Sequence, residues 1–222
     1  MFFELRDNLH WCVSGGRAVF LDVAADRYFC LSDAANQAFL SLAAGITQPN
    51  NSLLLQSLVA RGMLVDAGHE TRIQSPPKIE EPACDFIADP FSGGSGLHVA
   101  RALLSELRLT WVLRTRSFER VLKTVESDNG QRRRSPTSSS RMIRAIVAGS
   151  AAAAFVTRSH DRCLVRACAV YSMCRKHGSK PKLVFGVIAH PFAAHCWVQL
   201  GSSVLVGGYE QARLYTPILV LE

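Results

Sequence analysis

Short runs rich in Val, Phe, Tyr, Trp and Cys occupy residues 10–13, 17–23 and 27–31, separated by Ser14-Gly15-Gly16 and Ala24-Ala25-Asp26. Strand-forming residues bounded by turn residues predict a three-stranded antiparallel meander. Ser32 or Asp33 can cap a helix over 33–44, weighted by Phe39, Leu40 and Leu42 and stopped at Gly45. Thr47 to Asn51 reads as a turn. Ser52 then caps a second helix, in which Leu54, Leu55, Leu58 and Val59 recur at helical spacing as far as Gly62. Met63-Leu64-Val65 closes the region as a strand. From Ala67 to Ser95 the pattern has no steady period and is rich in Pro, Gly, Ser and acidic residues, as expected of a linker.

Helical periodicity returns over 97–126. There Leu103, Leu104, Leu107, Trp111, Val112 and Phe118 predict a buried face, with Arg101, Arg108, Arg114 and Arg120 pointing outward. A second polar break, Ser127 to Ser140, contains Arg132-Arg133-Arg134 and is expected to be a solvated loop. Residues 141–157 predict an alanine-rich helix, and another runs from about Arg162 to His177, stopped by Gly178. Leu183 to Ile188 and Ala193 to Leu200 predict an antiparallel strand pair, and Ser203-Val204-Leu205-Val206 a further strand.

The 222 residues are 48% hydrophobic and 19% charged, which suits one or two globular domains with sizeable cores. Charges within the first few residues argue against a signal peptide, and the longest small apolar run, Ala145 to Val156, is too short to span a bilayer. The expectation is a soluble cytoplasmic protein with no membrane partner. The net charge of +7 is unevenly placed. Residues 1–90 carry 6 basic and 11 acidic side chains; residues 101–144 carry 11 basic and 4 acidic. The acidic N-terminal third opposes phosphate contact, so no nucleic-acid partner is expected. Seven cysteines at irregular spacing, without a CxxC pair or a zinc-like Cys/His pattern, read as thiols that mostly fill the core.

Cys163 stands apart from that reading. It opens an apolar helix, where unpaired backbone N–H groups favour a thiolate and an oxyanion. Cys174 shares its face but lies about 16 Å further along the axis, and Cys168 is turned about 140° away, so the three cannot form one metal site. His195 sits in the strand Ala193 to Leu200 and shares a face with Trp197 and Gln199, while Cys196 and Val198 point the other way. A helix-opening cysteine followed by a strand histidine is what a papain-type nucleophile requires, with the imidazole taking the thiol proton and returning it to the leaving amine. His160 is an alternative base, and His190 is expected to point elsewhere.

Cys163-Leu164-x-Arg166, then Leu183-Val184-x-Gly186-Val187, then Pro191-Phe192-x-Ala194-His195-x-Trp197-Val198 resembles the transglutaminase-like cysteine protease of lasso-peptide biosynthesis, the B protein. Asp26 to Ser32 followed by an alanine-rich helix resembles the RiPP recognition element that precedes it. The resemblance implies an α+β protein: a small winged-helix-like leader-recognition domain over 1–70, a linker over 71–96, and a papain/transglutaminase-like domain over 97–222. It implies that Tyr28, Phe29, Cys30 and Leu31 form the edge strand that receives a leader peptide, beside a helix carrying Leu55 and Leu58. It also implies that Cys163 and His195 cleave the leader–core amide, with Arg166 and Trp197 at the substrate. A ribosomal precursor peptide, an asparagine-synthetase-like cyclase and ATP are the implied partners, although no Walker A loop occurs in the chain. In the family an aspartate follows the histidine by about a dozen residues and orients the ring. Here the matching position is Gly207, which leaves Glu210 or Gln199 as candidate orienters. A peptide-binding scaffold of degenerate catalytic machinery is the rival reading.

Overall fold

The computed structural model describes residues 2–46, 52–68, 72–86, 96–127, 136–157 and 162–222. The expected turn at 47–51, the triple arginine at 132–134, and His160 lie outside these residues. The chain divides into two compact units. One comprises residues 1–78 with 187–193 and 216–219, and the other comprises 79–186, 194–215 and 220–222.

In the first unit the expected meander is present as β2 (Leu9–Ser14), β3 (Arg17–Asp22) and β4 (Arg27–Cys30), in the order β2-β3-β4. Ser14 pairs with Arg17, leaving Gly15 and Gly16 as a two-residue loop with φ of 57° and 77°. Positive φ at both positions makes a turn whose twist matches that of the strands, and glycine takes it without steric cost. Helix α1 (Asp33–Ala43) lays Ala35, Ala38 and Phe39 against the sheet. Trp11, Phe20 and Phe39 meet edge to face with centroids 4.9 Å apart. Helix α2 (Ser52–Ala60) buries Leu55 and Leu58 in the same core. A ladder absent from the sequence reading joins β1 (Phe3–Leu5) to β5 (Leu64–Asp66). β1 was not among the expected strands. Among the described residues this unit has two helices, and these elements do not establish the winged-helix arrangement. The expected linker is partly in use here: Gln74 O accepts a 2.7 Å bond from Trp11 Nε1.

The second unit contains β6 (Cys84–Asp85), α3 (Gly96–Thr115), α4 (Phe118–Ser127), α5 (Pro136–Thr157) and α6 (Cys163–Lys176). β7 (Lys182–Ile188), β8 (Ala193–Leu200), β9 (Ser203–Val206), α7 (Tyr209–Ala212) and β10 (Thr216–Leu221) complete the chain. The sheet order is β10-β7-β8-β9-β6, with β8 antiparallel to β9 and β6 parallel to it. The single helix expected over 97–126 is two helices, divided after Thr115. Their apolar pattern misplaced the buried face. Leu104, Leu107 and Trp111 are 65%, 60% and 63% exposed, whereas Ala102 and Glu106 are buried. The reason is close packing of α3 on α5. A Cβ at Gly149 would lie 2.9 Å from the His98 backbone, a separation that larger residues on the contact face would prevent. Helix α5 begins at Pro136, inside the expected polar break, and packs on both α3 and α6. Helix α6 is buried on several sides through Ala167, Cys168, Val170, Tyr171 and Cys174, which makes it the central rod of the unit.

Candidate active site

Cys163 is the first residue of α6, as its apolar run and Gly178 stop suggested. Arg162 occupies the N-cap position and makes no side-chain capping bond. The first bond of the helix closes from Arg166 N to Arg162 O at 3.0 Å. The amides of the first turn therefore have no carbonyl within the helix and no cap from the Arg162 side chain, and they point toward the end where the thiol sits. Cys163 is half-buried. Cys168 and Cys174 are fully buried, and burial pushes both thiols up to about 12. Burial also raises the Cys196 thiol far above its ordinary range, with Cys168 and Cys163 adding to the effect.

His195 stands on β8 with its Nε2 2.9 Å from the carbonyl oxygen of Gly207. The carbonyl can only accept, so Nε2 carries the proton and Nδ1 keeps its lone pair. Trp197 stacks at 6.0 Å and Tyr215 lies at 5.2 Å, tilted. Burial lowers the His195 pKa below 6.5, and the Gly207 bond opposes the shift only in part. Burial thus favours the neutral form of the ring.

The backbone at Gly207 is what makes this bond available. Its φ is 113°, and a Cβ there would stand 2.4 Å from Trp197 Cβ and 3.3 Å from His195 Nε2. No side chain fits, so the main-chain oxygen alone reaches the ring. The turn continues through Gly208 into α7, whose first amide, Tyr209 N, donates to Asp85 Oδ1 at 2.8 Å.

Neither candidate orienter serves the imidazole. Gln199 is 1% exposed, and its amide is already committed. Its Oε1 accepts from Trp197 Nε1 at 2.8 Å, and its Nε2 donates to Glu80 O and Gly201 O at 2.9 Å each. It locks the indole in place. Glu210 lies on the surface, 3.7 Å from Arg213.

One participant escaped the sequence reading. Glu106 on α3 is 1% exposed, with Oε1 3.7 Å from Arg166 Nε and Oε2 4.0 Å from Arg162 Nη1. Neither oxygen, nor Arg166 Nε, has a hydrogen-bond partner among the described residues. A buried carboxylate is tolerated only beside compensating charge, and here both cations flank Cys163 in sequence. Arg166 is thus tied to Glu106 beneath the helix. Its signal was present: Glu106 is the only acidic residue between Arg101 and Phe118.

In the first unit β4 is an edge strand, and no strand pairs with its outer side among the described residues. Phe29 stacks on Phe20 at 5.3 Å, and Leu31, Leu55 and Leu58 lie in the core. The side chains of these four residues pack within the unit, which leaves the main chain of β4 as the open edge. Tyr28 is half-buried 5.6 Å from Phe192, and Cys30 is exposed.

Among the described residues no cluster of His, Cys, Asp or Glu could hold a metal ion, and no helix is long and apolar enough to cross a membrane. Cys163 thus opens the central helix half-buried, and His195 is held on β8 by its neighbouring turn. The chain belongs to the transglutaminase-like superfamily, whose family model matches residues 105–220, just over half of its length. Members of that superfamily are typically cysteine peptidases or acyltransferases. No curated protein and no solved structure matches the chain.

Proposed function

We propose that this protein is a cysteine peptidase that removes the leader from a ribosomal precursor peptide during lasso-peptide maturation. The observation that carries the chemistry is the His195–Gly207 bond, which leaves Nδ1 free to accept the proton of a thiol. In the proposed reaction Nδ1 takes the Cys163 proton and the thiolate adds to the carbonyl at the leader–core junction. The first-turn amides of α6 stabilise the oxyanion. The imidazolium then protonates the leaving amine of the core as the C–N bond breaks, leaving the leader as a thioester. Water, deprotonated by the same imidazole, adds to the thioester carbonyl. Its collapse releases the leader acid and restores the thiol.

The first unit supports a leader-binding role through the open edge of β4. A docked strand would bond to the main chain there, with Tyr28 and Cys30 on the side away from the core. An asparagine-synthetase-like cyclase would take the freed core amine, and ATP would enter with that partner. The competing reading is a scaffold that holds the precursor without cutting it, favoured by the missing aspartate.

Mass spectrometry of a cognate precursor incubated with the protein, the cyclase and ATP distinguishes the two. Free leader from wild type and none from Cys163→Ala is the expected result. Intact precursor in both cases, with leader binding retained, would replace the peptidase with the scaffold.

A further inference from the structure

Between α3, α5 and α6 lies a cavity of about 480 Å³ that contains none of the residues gathered at the thiol centre. Its volume is within the range of about 300–1,000 Å³ typical of small-molecule sites. The lining is divided by chemistry. Leu104, Met142 and Met173 make an apolar wall, while Arg101 and Arg108 bring two cations to the same concavity. Among the described residues no carboxylate lines it. Arg101 and Arg108 are both exposed and have no ion-pair partner among the described residues. They stand two helical turns apart on α3, with Leu104 on the same face between them.

Like charges converging on a concavity repel one another unless an anion neutralises them, and guanidinium groups bond phosphate oxygens in a planar, paired manner. An inorganic anion would satisfy the cations and leave the apolar wall wet. An apolar molecule would cover the wall and desolvate the cations without replacing their water. We infer that this cavity binds an organic phosphate monoester, its apolar body on Leu104, Met142 and Met173 and its phosphate on Arg101 and Arg108. The site is independent of the thiol chemistry and stands whether or not Cys163 is a nucleophile.

Isothermal titration of the full chain with 1-naphthyl phosphate, inorganic phosphate and 1-naphthol tests it. Saturable one-to-one binding of the ester is expected, at least about tenfold tighter than either fragment, a difference of about 1.4 kcal/mol. The double variant Arg101→Gln/Arg108→Gln should weaken ester binding about tenfold or more. Removing the same charge elsewhere, with Arg114→Gln/Arg120→Gln, should leave it unchanged. All four side chains are exposed, so far-UV circular dichroism and melting should match wild type. Equal loss in both double variants would reduce the effect to the general attraction of a chain of net charge +7 and overturn the site. So would ester binding no tighter than that of phosphate or naphthol, or no saturable binding at all.

Discussion

Replacing Gly207 with aspartate would place a carboxyl group beside His195, and the structure predicts that it is not accommodated. The residue's φ of 113° is one that L side chains rarely adopt, a strain of about 1–3 kcal/mol. The new Cβ would also stand 2.4 Å from Trp197 Cβ and 3.0 Å from Trp197 Cα. Neither atom is the far end of a flexible chain, and Trp197 is fully buried and tied to Gln199. Overpacking of this kind adds about 1–3 kcal/mol. The two terms together give about 2–6 kcal/mol, a large share of the ordinary 5–15 kcal/mol of a folded domain. Taking about 4 kcal/mol, scanning calorimetry should show a melting point lower by roughly 8–16 °C. Gly207→Ala should lose nearly as much, because the cost lies at Cβ. Gly208→Ala is the control: its φ is 75° but nothing lies within 4 Å of its Cβ, so it pays only strain of about 1–2 kcal/mol. Alkylation of Cys163 by iodoacetamide, followed by peptide mass spectrometry, should slow in both Gly207 variants as His195 loses its anchor. A Gly207→Asp protein that melts with wild type and alkylates faster would refute the reasoning. It would mean that the turn yields readily and that the ring prefers a carboxylate.

Other outcomes follow from the same geometry. Near neutral pH iodoacetamide should label Cys163, Cys30 and Cys84 and spare Cys12, Cys168, Cys174 and Cys196, which are buried, the first three with thiols held at about 12. If Cys163 is activated, it should react faster than the two exposed thiols. His195 has a folded pKa lowered below 6.5, so the unfolded chain binds more protons between the two values. Its contribution to stability is present above pH 6.5 and lost as pH falls through the lowered pKa, and His195→Gln should flatten that part of the stability–pH curve. Imidazole resonances followed by NMR should place the His195 midpoint below that of a free histidine. Glu106→Ala leaves Arg162 and Arg166 without their counter-charge. It should destabilise by about 2–4 kcal/mol, somewhat less than a fully buried pair because both arginines are partly solvated. Urea denaturation measures this directly. Trp197→Phe frees Gln199 Oε1 in a dry site and should cost about 2–3 kcal/mol in the same assay.

The strands of the meander, the extent of α6 and the β8–β9 pair were legible because each combines a clear period with turn residues at its ends. The exposed Leu104, Leu107 and Trp111 were not, since periodicity identifies an apolar stripe without saying whether anything covers it. Glu106 was hidden for the opposite reason: a charged residue in an arginine-rich helix reads as solvated until its partners on α6 are known. The sequence located Gly207 opposite His195 by counting residues, yet counting compares side chains. It directed attention to Gln199 and Glu210, when the group that reaches the ring belongs to the peptide bond.

An orienting carbonyl is invisible to any method that reads residue identity. Alanine scanning leaves every peptide oxygen in place, so it would register Gly207 as a conformational requirement and never as a partner of His195. The information that fixes the imidazole is stored as a dihedral angle, held by a glycine on one side and by the Asp85 bond to Tyr209 on the other. A carbonyl placed this way specifies a histidine tautomer that a carboxylate could otherwise specify.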